Sequence, residues 1–180
     1  AGVGAPHQDQ AMSGKLAGLL EPDFSVQWQI HATSGHKTAD TLARLEELPA
    51  ERFDVAVTAL GVNDAISMTS LRSWRSQQSR LRQLLRDKFS VRQLIVSGLP
   101  PLHAFPALPA PLRWHFGERA SRLDQLLAAD VAGEADSDYI STRFTSDVSM
   151  MAPDGFHPGP AIYAEWAGRI ADTIRCGRVC

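Results

Sequence analysis

Cysteine is nearly absent from this chain. The only two, Cys176 and Cys180, sit among its last five residues. A Cys-x3-Cys pair can close a small loop or remain two thiols. With no His or further Cys nearby it does not make a zinc site, and no catalytic role is expected of it. Long apolar runs are absent too: none approaches the roughly 18–20 residues of a membrane helix, so stable membrane insertion is not expected. No signal segment is visible, and the compartment stays open between cytoplasm and periplasm or exterior. An excess of either charge is missing, with 18 Lys and Arg against 20 Asp and Glu. A net charge of −2 gives no reason to expect nucleic acid or an anionic membrane as partner. There is no repeat and no low-complexity stretch. His7, His31, His36, His103 and His115 are scattered without ligand spacing. Gly2-x-Gly4 lacks the third glycine of a dinucleotide fingerprint, and Ser13-Gly14-Lys15 lacks the upstream glycine of a phosphate loop. No metal and no cofactor are therefore expected.

What is present is an ordinary globular composition, 44% hydrophobic and 21% charged over 180 residues, which suits one domain with a real core. Helical and strand-like segments alternate, the pattern of an α/β fold around a parallel sheet. Residues 9–20 read as a helix with Met12, Leu16, Leu19 and Leu20 on one face. Ser25 to Ala32 alternates Val26, Trp28 and Ile30 with polar residues, as a half-buried strand does, with His31 on its outer face. Thr38 to Leu48 reads as a helix capped by Thr38 or Asp40. Phe53 to Leu60 is a continuous apolar run, expected of a strand covered on both faces. Ser70 to Lys88 is the longest helix, with Trp74, Leu81, Leu84 and Leu85 inward, and Val91 to Ser97 is another buried strand. Helices follow from about Trp114 to Val131 and from Ala161 to Ile174, with a short strand at Tyr139 and Ile140.

Parallel sheets carry their functional loops at the carboxyl ends of the strands. Those loops are Thr33-Ser34-Gly35-His36, then Gly61-Val62-Asn63-Asp64, then the segment Gly98–Pro111, and near the end Asp154-Gly155-Phe156-His157-Pro158. The last places an acid and an imidazole three residues apart in a turn, so that the carboxylate can hold the imidazole as a general base. A backbone N–H at Gly35 and the side-chain amide of Asn63 are suitable donors for the oxyanion that acyl transfer generates. Taken singly, Gly35 can be just a positive-φ position and Asn63-Asp64 an Asx turn capping the next helix. Gly98–Pro111 holds Pro100, Pro101, Pro106, Pro109 and Pro111, which exclude a regular helix or central strand. With Leu99, Leu102, Phe105 and Leu108, and Trp114 just beyond, it is either a stiff acyl pocket or packing over the sheet edge. His36 and His103 fall on these rim loops.

Gly61-Val62-Asn63-Asp64 resembles the Gly-x-Asn-Asp block of the SGNH (GDSL-type) hydrolases, and Asp154-Gly155-Phe156-His157-Pro158 resembles their closing Asp-x-x-His-Pro block. Ser34-Gly35 falls where the family's oxyanion-hole glycine lies, so the resemblance covers essentially the whole chain. It implies a three-layer α/β/α sandwich, similar to flavodoxin, with five parallel strands. It also implies hydrolysis of carboxylic esters or thioesters without a metal, on small-molecule or lipid-like acyl substrates. By the same resemblance Gly35 and Asn63 are oxyanion donors, and Asp154 and His157 complete a Ser-His-Asp triad. A carbohydrate acetylesterase on the same scaffold and a non-catalytic α/β binding module are the competing readings.

The family's Gly-Asp-Ser block is missing. Ala1-Gly2-Val3-Gly4-Ala5 resembles the stretch just after it, so the nucleophile is expected before Ala1. So is a first strand between those at about 25–32 and 53–60. Without that strand two rows of buried backbone groups would go unpaired, each costing about 1–3 kcal/mol. Ser13, on a helix, and Ser34, beside the glycine turn, both lack the strand-to-helix elbow that exposes a nucleophile.

Overall fold

Gln93–Ser97 (β2) is buried along its whole length and is the centre of the sheet. The computed structural model of the chain describes residues 5, 7–144 and 150–177. Val55–Ala59 (β1) runs parallel to β2 on one side, from Val55 opposite Gln93 to Ala59 opposite Ser97. Ser137–Ile140 (β3) runs parallel on the other, from Ser137 opposite Leu94 to Ile140 opposite Ser97. The period of two sends alternate residues to opposite faces. Leu94 and Val96 enter one core cluster and Ile95 the other.

Helices cover both faces. The larger cluster takes Leu42 and Leu45 from Thr38–Glu47 (α2), Trp74, Leu81 and Leu85 from Leu71–Phe89 (α4), and Leu123 and Leu127 from Leu112–Ala132 (α5). The smaller takes Leu20 from Met12–Leu20 (α1) and Ile170 and Ile174 from Pro160–Cys176 (α6). The result is the expected α/β/α layering. Helix boundaries follow local chemistry. Ser70 accepts the Ser73 N–H at 3.1 Å and starts α4, and Pro160 opens α6 at a position whose N–H has no helical partner anyway. Asp40 caps α2 by accepting the Lys37 N–H at 2.9 Å.

Three of the five expected strands are present among the described residues, in the order β1-β2-β3. Residues 25–32 carry no regular secondary structure and join no ladder. Trp28 and Ile30, expected inward, are 45% and 46% exposed. Alternation buries a face only when a neighbouring strand fixes the pleat against the sheet, and no strand among the described residues lies beside this segment or along the outer edge of β1. The same open edge explains why β1 is half-buried where full coverage was expected. Only Val26 of this segment packs against the smaller cluster, as Val55 and Val57 of β1 also do.

Candidate active site

The turn at Asp154 is built by backbone geometry before any chemistry is asked of it. Residues 150–159 form a narrow antiparallel loop: Met151 bridges Pro158, Ala152 N–H donates to His157 O at 2.9 Å, and Gly159 N–H donates to Met150 O at 3.0 Å. Gly155 turns the chain at φ +64°, a conformation that favours glycine. Inside this loop Asp154 Oδ1 accepts the N–H groups of Phe156 and His157, both at 2.9 Å. That leaves Oδ2 aimed at the imidazole, with His157 Nδ1 at 2.6 Å. The two backbone N–H donors, of His157 and then Phe156, followed by the imidazole, hold the Asp154 carboxyl down at about 2. An ionised carboxylate can only accept, so Nδ1 carries the proton and Nε2 presents its lone pair outward. The His157 side chain is 36% exposed, so this nitrogen lies within reach of a substrate.

The oxyanion candidates meet through another loop. β1 leads into Gly61, at φ +125°, and then into the short helix Val62–Ile66 (α3). A side chain at Gly61 would stand 2.9 Å from Leu99 Cδ1, so both the backbone and the close approach require glycine. As an Asx turn, Asn63 would only cap the next helix. Instead it donates Nδ2–H across to His36 O at 2.9 Å, which joins it to the Gly35 loop. An amide nitrogen has two hydrogens, so one stays available. Gly35 is exposed at φ +82° with open space on its Cα. Ser34 is exposed beside it, and Ser13 lies on α1.

The proline-rich segment links the two halves of this rim. Asp124 Oδ1 accepts the Leu99 N–H at 2.9 Å and fixes the segment's start, while Leu99 packs on Gly61. Further along, Ala107 N–H donates to Gly155 O at 3.2 Å, and Phe105 meets Phe156 edge-on at 5.4 Å. Phe156 in turn stands edge-on to the His157 ring at 5.2 Å. Aromatic pairs of this kind contribute about 0.5–1.5 kcal/mol beyond burial. Leu99, Leu102 and Phe105, read from the sequence as an acyl pocket or as packing, are 3%, 0% and 8% exposed and belong to the larger core cluster, with Leu108 packed against it. Leu99 packs on Gly61 and Phe105 on Phe156, so the segment touches both loops. Prolines limit the segment to one 3-10 turn, Leu102–Ala104, which packs on α5, and Leu99, Leu102 and Phe105 are buried in the larger cluster.

Trp114, on α5, is 62% exposed and stacks on His103 at 6.4 Å. Tyr163 of α6 is a residue the sequence did not single out. Burial, with the Asp154 charge nearby, pushes its hydroxyl up to about 12, so it stays a neutral phenol beside the turn. Cys176 is an exposed free thiol, and Cys180 lies outside the described residues. Among the described residues no group of three His, Cys, Asp or Glu could hold a metal ion. No described helix is long and apolar enough to cross a membrane. A shallow groove of about 690 Å³ lies between α4 and α5, lined by Arg75, Arg82, Asp130 and Glu134 among others, and none of its lining residues belongs to the rim just described.

Several solved structures resemble this fold. A lipase, Lip_vut3, from a goat rumen metagenome has a TM-score of 0.75 at 16% identity, covering 95% of this chain and 90% of its own. An inhibitor-bound aryl esterase of M. smegmatis has a TM-score of 0.69 at 19% identity, with 95% and 87% covered. Est24, a carbohydrate acetylesterase from Sinorhizobium meliloti, has a TM-score of 0.67 at 18% identity, with 93% and 86% covered. At these identities the likeness is one of fold. No curated protein sequence matches the chain. The model of the GDSL-like lipase/acylhydrolase family matches residues 1–165, and the chain therefore belongs to that family, a hydrolase acting on ester bonds.

Proposed function

We propose that the enzyme cleaves carboxylic esters by a Ser-His-Asp mechanism in which His157 is the base and Asp154 its orienter. The observation that carries the reading is the 2.6 Å contact of His157 Nδ1 with an Asp154 carboxylate whose other oxygen is already held by two backbone N–H groups. A serine hydroxyl attacks the acyl carbon as Nε2 takes its proton. The carbonyl electrons move onto oxygen, and the Gly35 N–H and the spare Asn63 N–H receive that charge. Collapse expels the alkoxide, which takes the proton from His157, and leaves an acyl-serine. Water, deprotonated by the same nitrogen, repeats the sequence and releases the acid and the serine. The nucleophile in this reading is a serine. A thioester would follow the same steps with a thiol leaving.

The acyl group is short. Support comes from the burial of Leu99, Leu102 and Phe105 in the core, which leaves no apolar slot from that loop, and from the exposed placement of His157 and Asp154. Trp114, exposed and stacked on His103 of the loop whose Ala107 bonds to Gly155, favours an aryl or sugar alcohol portion over a lipid. The test is kcat/KM for p-nitrophenyl acetate, butyrate, octanoate and dodecanoate, with acetylated xylan as a polymeric acetyl ester. A fall of about tenfold or more from acetate to octanoate is expected. A profile that rises with chain length contradicts the short-acyl reading and restores a long acyl pocket.

A further inference from the structure

A buried polar chain lies directly behind Asn63. Asp64 is fully buried, and its Oδ2 accepts both the Thr38 N–H at 3.0 Å and the Thr38 hydroxyl at 2.9 Å. Thr38 Oγ1 accepts from Gln78 Nε2 at 2.9 Å, which anchors the chain to the middle of α4. Thr38 is 0% exposed and Gln78 2%. Asp64 Oδ1 is buried without a hydrogen-bond partner, so the fold leaves one carboxylate oxygen unpaired, which is costly. A side chain whose role was only to fill space would not need that carboxylate. The bonds it does make join two segments 26 residues apart: α3, which carries Asn63, and the start of α2, immediately after the Gly35-His36 loop. Asn63 Nδ2 to His36 O is the second tie between the same two segments, at 2.9 Å.

We infer that Asp64 is a positioning residue that sets the distance and angle between the Gly35 N–H and the Asn63 amide, acting through Thr38 and Gln78. This rests on the oxyanion role given above to Gly35 and Asn63. Two donors on separate loops stabilise a developing charge only if their separation is fixed before reaction. With one tie left, the Gly35 loop pivots about the Asn63–His36 bond. The substrate still binds, because the ground-state carbonyl demands little of the donors. Transition-state stabilisation is what is lost.

The experiment is a graded set on the full enzyme, each variant normalised to folded protein by its thermal melt. Asp64→Ala removes both bonds to Thr38 and is expected to lower kcat by about 10²-fold with KM within about twofold. Thr38→Val, near-isosteric, keeps the N–H bond and loses the hydroxyl, for a fall of about three- to tenfold. Asp64→Asn keeps a carbonyl oxygen that accepts both Thr38 donors, and is expected to bring kcat back to within about threefold of wild type. Affinity for an alkyl boronic acid, whose tetrahedral adduct mimics the oxyanion, should fall in parallel with kcat/KM across the set, while the acid limb of the pH profile stays in place. If kcat per folded molecule is unchanged in Thr38→Val and Asp64→Ala, or if only KM moves, the inference is wrong. Should Asp64→Ala fail to fold, Thr38→Val and the boronate series decide alone. A His157→Ala enzyme that retains full turnover would instead remove the underlying esterase mechanism, so the two failures are distinguishable.

Discussion

His157→Ala lowers kcat/KM for any ester substrate by about 10⁴- to 10⁶-fold and leaves the fold in place. The expectation follows from where the ring sits. Its Nδ1 side is committed to Asp154, and its Nε2 side is the proton acceptor that the Asp154–His157 geometry turns outward. Among the described residues no other histidine is paired with a carboxylate. His36 lies beyond Gly35 and gives its backbone oxygen to Asn63, and His103 is stacked against Trp114. Stability should barely change. The ring is partly exposed, and its one recorded polar bond is to a carboxylate that keeps both backbone donors after the imidazole is gone. Circular dichroism and a melting curve beside the rate assay separate the two effects. Wild-type turnover in a folded His157→Ala enzyme contradicts the assignment.

Asp154→Asn is the second large effect, a fall in kcat of about 10³- to 10⁴-fold. The substitution is nearly isosteric, and the amide oxygen can still accept the Phe156 and His157 N–H groups. Its NH₂, however, now faces Nδ1 as a donor. The imidazole answers by moving its proton to Nε2, the tautomer that cannot accept from a nucleophile. The acid side of the wild-type profile carries the complementary prediction. With its carboxyl held at about 2, Asp154 remains ionised in the folded enzyme well below the ordinary range of about 3.9 for an unfolded chain. Its contribution to stability is therefore complete above that unfolded value and is withdrawn only as pH falls toward 2. Any loss of kcat/KM above about pH 4 thus does not come from protonation of Asp154, and the limb should lie at the same pH for substrates of different leaving group.

The sequence made much of this rim legible because its pieces are local. An acid and a histidine three residues apart around a glycine define a turn almost without reference to the rest of the chain. The helices were readable from 3.6-residue stripes backed by large cores, and β2 from a short apolar run bounded by a loop. What failed to read depended on neighbours distant in sequence. Trp28 and Ile30 alternate as a strand should, yet a strand needs a ladder partner, and none is described beside them. Leu99, Leu102 and Phe105 between prolines look equally like a pocket wall or a buried floor, because burial is decided by what α5 and α3 bring against them. The Asp64–Thr38–Gln78 chain spans 26 and 40 residues, and each member alone passes for a helix cap or a surface amide. One signal was available: Gln78 falls on the inward stripe of α4, four residues after Trp74 and three before Leu81, where an unpartnered amide would be costly.

The central claim, that His157 and Asp154 serve a serine nucleophile, is tested most directly by a fluorophosphonate probe on the enzyme isolated from its source cells, followed by peptide mapping of the adduct. The account predicts one phosphonylated serine, labelled quickly by wild type and more slowly by orders of magnitude in His157→Ala. A native enzyme that hydrolyses esters and forms no serine adduct, or one that labels equally fast without His157, contradicts it.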